Sequence, residues 1–192
     1  MPEIRVFPLN TVLFPGGQLP LRIFETRYLD MVSRCLRECQ GFGVCLIKEG
    51  GEAGPAKFHG VGTLAEIGDW SRGDDGLLQI LARGTRRFRL TASRVQADGL
   101  NVGDLEWLSE EPPVTVPESR RPLAELLRQI MAQLPVENVA TEEQYSDARW
   151  VGYRLSEFLP LGLAQRQYLL ELSDPEKRLD ILVTLLQSLS TA

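Results

Sequence analysis

The spacing of apolar residues changes once along the chain, near residue 108. Before that point, apolar and β-branched residues come in short runs: 6–9, 12–14, 19–24, 42–47, 57–67, 77–90 and 94–108. Turn pairs such as Pro15-Gly16 and Asp98-Gly99 separate them, and runs of this length and punctuation predict strands. Residues 26–39 are the exception. Leu29, Val32, Cys35, Leu36 and Cys39 recur at three and four positions, which predicts a helix stopped by Gly41. Residues 50–55 are rich in glycine and proline and read as a loop. In the longest run, Leu78, Ile80, Ala82, Phe88 and Leu90 share one parity. Gln79, Arg83, Thr85, Arg87 and Arg89 share the other, so strict alternation places them on the opposite face. Gly84 reads as a bulge.

Residues 109–119 carry three prolines and three glutamates, a composition that predicts an extended linker. Beyond it the period is helical. Leu123, Leu126, Leu127, Ile130, Met131 and Leu134 form one stripe, ended by Pro135. Thr141 to Gln144 read as a capping box that opens a helix through Leu159. A short helix is expected over 163–172. Ser173-Asp174-Pro175-Glu176 opens the last one, with Leu179, Leu182, Val183, Leu186 and Leu189 as its stripe. The predicted class is α+β: a β subdomain over 1–108 with one helix, a linker, and a four-helix bundle within 120–192.

Three segments carry a family signature. Phe7-Pro8-Leu9 through Phe14-Pro15-Gly16, then Leu19-Pro20-Leu21-Arg22-Ile23-Phe24-Glu25-Thr26-Arg27-Tyr28, is the longest. Gly84 to Leu90 and the pair Leu169-Leu170-Glu171 and Asp174 to Leu179 extend it. Together they resemble the N-terminal domain of Lon, the ATP-dependent bacterial protease. The resemblance implies a PUA-like β pseudo-barrel followed by a helical bundle. It also implies a domain that handles substrate polypeptide and performs no chemistry. The sequence lacks a G-x-x-x-x-G-K-[ST] phosphate loop, so a freestanding domain without ATPase or protease parts is expected.

Composition narrows the chemistry. The net charge is −5, and the deficit falls after residue 108, where 13 acidic side chains meet 8 basic ones. Phosphate affinity comes mainly from Lys and Arg, so nucleic acid is a poor general partner. No apolar run reaches the ~20 residues of a membrane span and no leader pattern is visible; a cytoplasmic location is expected. Three cysteines do not make a disulfide framework. His59 is the single histidine, which excludes histidine clusters for metal. Cys35 and Cys39 lie on the apolar stripe, where thiols pack as small hydrophobes. Lys48, Lys57 and Lys177 have no serine in a recognisable catalytic setting. No catalytic residue, cofactor or metal ligand is assigned, and the chain is expected not to be an enzyme.

Candidate binding residues remain. Trp70 stands at an expected loop tip, as an exposed aromatic anchor or as a lid over the barrel end. Arg83, Arg87 and Arg89 are expected to point outward together, and Arg86 inward into an ion pair. Glu25 and Arg27 read as a helix start. The expected partner is unfolded or extended polypeptide, with proteolysis machinery as a further partner. The alternatives are an RNA-binding PUA-like protein, for which the arginine cluster would have to form one face, and a cryptic peptidase, for which a paired nucleophile would be needed.

Overall fold

The computed structural model describes residues 2–52, 56–134 and 140–190. It divides into two compact units, Met1–Ser109 and Glu110–Ala192. The first contains strands β1 (Glu3–Leu9), β2 (Gln18–Ile23), β3 (Phe42–Gly50), β4 (Ala56–Phe58), β5 (Val61–Arg72), β6 (Leu78–Val95) and β7 (Asn101–Trp107). Helix α1 (Thr26–Glu38) sits between β2 and β3. The sheet closes on itself in the order β1-β7-β6-β5-β3, with β1 paired back to β3. That closing pair is parallel, Val6 opposite Gly43 through Leu9 opposite Leu46; the other pairs are antiparallel. Closure covers the ring strands along the stretches where they pair around the barrel.

Alternation along β1 feeds two apolar clusters. Phe7 and Leu9 join Tyr28, Met31, Val32 and Cys35 of α1, with Phe42, Val44, Ile80 and Ala82. Ile4 and Val6 join Cys45, Phe88 and Leu105. Strand β6 contributes to both because it is bulged. Ala65 faces Gly84 and Thr63 faces Arg87, so Thr85 and Arg86 oppose Leu64 alone. The extra residue exchanges the faces of β6. Phe88 therefore leaves the face of Ile80 and Ala82, contrary to the single parity expected. Gly84 makes the site possible, since a Cβ there would collide with the Phe14 carbonyl.

Several expectations change. Residues 12–14 are buried but form no strand. The run 57–67 breaks at His59-Gly60 into β4 and β5. In α1 the buried stripe is Tyr28, Met31, Val32 and Cys35, while Leu29, Leu36 and Cys39 are exposed. Packing against Phe7, Phe42 and Val44 selects this stripe. Cys39, with φ 51°, ends the helix before Gly41 is reached.

The second unit holds a 3-10 turn at 118–120 and helices α2 (Arg121–Met131), α3 (Glu142–Ser146), α4 (Ala148–Phe158), α5 (Leu163–Glu171) and α6 (Pro175–Ser190). The proline-rich stretch is no free linker. Glu111 and Val116 are buried, and Val116 donates to Ser146 while Val114 accepts from Ala148. This short bridge, Thr115 opposite Asp147, breaks the expected 141–159 helix in two. Asp147 then caps α4 by accepting from the Arg149 N–H at 2.9 Å. Among the described residues, five helices thus stand in place of the four predicted. The Thr141–Gln144 box forms as read. The cap of α6 is Asp174, one residue later than read. Pro135, the predicted stop of the first bundle helix, lies outside the described residues.

Candidate functional site

Outside the ring the barrel carries a small leaf of three strands. β2 pairs along the N-terminal half of β6, and the C-terminal half of β5 pairs along the other side of it. β3 leaves β5 at Ala65. Among the described residues, the outer edges of β2 and of β5 beyond Ala65 have no strand partner. Three cross-strand rows cross the leaf: Pro20–Leu81–Asp69, Leu21–Ile80–Trp70 and Arg22–Gln79–Ser71. These nine residues line a groove of about 460 Å³.

Trp70 lies within β5 and not at a loop tip, 59% exposed at the end of the row whose middle member, Ile80, is 3% exposed. A bulge at Gly68 puts Ile67 opposite Ala82 and Trp70 opposite Ile80, so two apolar residues three apart share a face. Asp75 caps the hairpin turn through the Leu77 N–H at 3.0 Å and pairs with Arg22 of β2. That backbone hydrogen bond, helped by the guanidinium, holds the Asp75 carboxyl below the usual range.

The arginines do not form one face. Arg83 sits opposite Glu66, before the β6 bulge, and is exposed. Arg87 and Arg89 follow the bulge and turn to the other side. Arg87 is 4% exposed. Arg86 is exposed and stacks over Trp107 at 4.9 Å, so the inward and outward roles expected of Arg86 and Arg87 are exchanged. Gly84 signals the bulge, and strict alternation fails beyond it because a bulge exchanges the faces of the strand.

Arg27 is a clamp between the start of α1 and two loops. It holds the Glu25 carboxylate at 2.8 Å, the Gly99 carbonyl at 2.9 Å and the Glu52 carbonyl at 3.1 Å. Glu52 in turn accepts the Asn10 N–H at 2.7 Å. Neither Glu25 nor Thr26 caps α1 through its side chain. Tyr28, stacked on Phe7 at 3.9 Å, has its phenol pushed up to about 12 by burial.

Among the described residues no three His, Cys, Asp or Glu side chains group as for a metal. Lys57 pairs with Glu49 at 2.7 Å on the surface. Burial pushes the Cys45 thiol well up, away from the reactive thiolate. No helix among the described residues is long and apolar enough to cross a membrane.

Residues 3–188 match the family described as the ATP-dependent protease La (LON) substrate-binding domain. The chain belongs to that family. A crystal structure of a Lon N-terminal domain protein from Xanthomonas campestris is similar to it, at TM-score 0.81 and 38% identity, over 96% of this chain and 98% of that one. The N-terminal domain of Mycobacterium avium complex Lon protease shares the fold at TM-score 0.69 and 18% identity, over 95% and 97%. The Lon protease of Escherichia coli (strain K12) is 24% identical over 195 residues, 97% of this chain. That of Phenylobacterium zucineum (strain HLK1) is 25% identical over 182 residues, 91% of this chain. The chain spans about a quarter of the length of these two proteases. The match is to the substrate-binding part, and the PUA-like barrel with a helical unit expected from the resemblance is the Lon N-terminal fold.

Proposed function

We propose that this Lon-family domain binds unfolded or extended polypeptide without catalysing a reaction on it. It would do so in the cytoplasm, as a recognition module that delivers segments to proteolysis machinery. The leaf carries this reading: an exposed tryptophan, a groove large enough for several side chains and two unpaired strand edges lie together. Recognition by strand addition uses backbone groups, so it tolerates many sequences, as a handler of unfolded chains requires. Family membership supports the same reading. RNA binding gains nothing from the structure, since Arg83 and Arg87 lie on opposite faces and Arg87 is buried.

A single small module that must also order its ligand binds weakly, here at about 10–1000 μM. Amide NMR of the full chain titrated with an unfolded casein fragment tests it. Shifts are expected to cluster on β2, β5 and β6 and to shrink in Trp70→Ala. The absence of any shift at ~1 mM fragment, where even a weak site would fill, would falsify the proposal.

A further inference from the structure

The two outer edges of the leaf differ in one backbone donor. Bonded and non-bonded pairs alternate along antiparallel strands. The Gly73 N–H donates to Leu77 at 2.9 Å, so the alternation makes Ser71–Gln79 a bonded pair. Arg72–Leu78 and Trp70–Ile80 then fall between bonded pairs. The Trp70 and Arg72 backbone groups therefore face away from β6. Leu78 and Ile80 direct theirs toward β2, which leaves Gln18, Pro20 and Arg22 on the outer edge of that strand. Proline has no N–H, so the β2 edge permanently lacks its middle donor.

The β5 edge keeps that donor, but it is covered. Asp69 Oδ1 accepts the Trp70 N–H at 2.7 Å. The carboxylate oxygen thus occupies the donor that a neighbouring strand's carbonyl would need. Gly68 to Arg72 are exposed, and the cover is a single side chain free to rotate into water.

We infer that an extended polypeptide adds as a strand to the outer edge of β5 at Trp70 and Arg72, and that Asp69 is the gate it displaces. This rests on the polypeptide-binding reading above. The incoming carbonyl takes the Trp70 N–H from Asp69, and the incoming N–H donates to the Trp70 carbonyl. Alternate side chains of the ligand then lie beside the indole, on the face of Leu21 and Ile80. Until a ligand arrives, the capped donor and the Gly68 bulge keep the edge from pairing with other chains.

The test is amide NMR of the full chain with the same casein fragment, in wild type and three variants whose spectra are unchanged outside the leaf. Ligand should shift and protect the Trp70 and Arg72 amides. Asp69→Ala should tighten binding about three- to tenfold, since one competing hydrogen bond is gone. Asp69→Asn, with a neutral acceptor, should fall between. Arg72→Pro, which removes an outward N–H from the β5 edge, should weaken binding. Binding that persists unchanged in Asp69→Ala, or that shifts Gln18 and Arg22 instead, overturns the gate and leaves polypeptide binding standing. Self-association of Asp69→Ala without peptide binding also overturns it, in favour of a second copy as the partner. Silence from every variant at ~1 mM fragment overturns polypeptide binding itself.

Discussion

Around Phe7 and Phe42 the barrel is filled by apolar side chains, and a buried polar contact there is Thr63 donating its hydroxyl to the Leu13 carbonyl at 2.6 Å. The helical unit is built around charge. Arg178, 0% exposed, meets the Glu111 carboxylate at 2.9 and 2.5 Å. It also donates to the carbonyls of Leu169 and Leu172 and stacks over Tyr153 at 4.1 Å. Tyr153 donates its hydroxyl to the same carboxylate at 2.7 Å. The difference follows from what each unit must align. A closed sheet fixes its own register through backbone pairing, so apolar packing suffices. Two backbone hydrogen bonds, Val116 N–H to the Ser146 carbonyl and Ala148 N–H to the Val114 carbonyl, and one from the Arg149 guanidinium to the Glu111 carbonyl tie the stretch 110–116 to α3 and α4. A buried pair is satisfied in one placement alone, which fixes that stretch against α4, α5 and α6.

Glu111→Ala should break this contrast most severely. It leaves Arg178 buried without its carboxylate, at a cost of about 3–5 kcal/mol. In hydrogen exchange with denaturant, the helical unit should open well before the barrel. Replacing the pair together, Glu111→Leu with Arg178→Met, should recover most of that loss. Failure to recover would mean the charge pair contributes stability beyond alignment.

Met31→Ala attacks the apolar side of the comparison. Met31 is 0% exposed in the larger barrel cluster, and its truncation should cost about 2–5 kcal/mol. The same denaturant series should show the loss confined to amides of the first unit. Gly99→Ala should cost less, about 1–2 kcal/mol. Gly99 has φ +81° and presents its carbonyl to Arg27, so crystal or NMR data should show the 96–100 turn and the Arg27 clamp disturbed together. The smallest effect concerns thiols. Cys39 is exposed while Cys35 and Cys45 are 1% exposed, and burial raises the latter two thiols. A maleimide should label one cysteine in the native protein at neutral pH and three after denaturation. Labelling of Cys35 without denaturation would show that α1 opens locally.

Local signals in the sequence were read correctly where the physics is local. The change of period near residue 108, the α1 segment, the Thr141 capping box and the Asp98-Gly99 turn depend on neighbours a few residues apart. The opening motif marked the family, although Arg27 in it serves the loops and not a ligand. Trp70 reads from the sequence as an exposed aromatic, whereas the hydrogen bond Asp69 accepts from its N–H gains meaning only once β5 has an edge without a strand partner among the described residues.

By itself, then, the sequence determined most of the strand and helix segments and which family the chain resembles, since periodicity, caps and turn residues act over a turn or two of chain. Tertiary structure alone decided the rest. The bulge at Thr85-Arg86 set Arg83 and Arg87 on opposite faces, because face depends on what the partner strand skips. The bridge to Thr115 split a predicted helix at Asp147. Arg178 shows the limit most plainly: it continues the face of Pro175, Leu179 and Leu182 on α6, but only a carboxylate 67 residues away makes its burial tolerable.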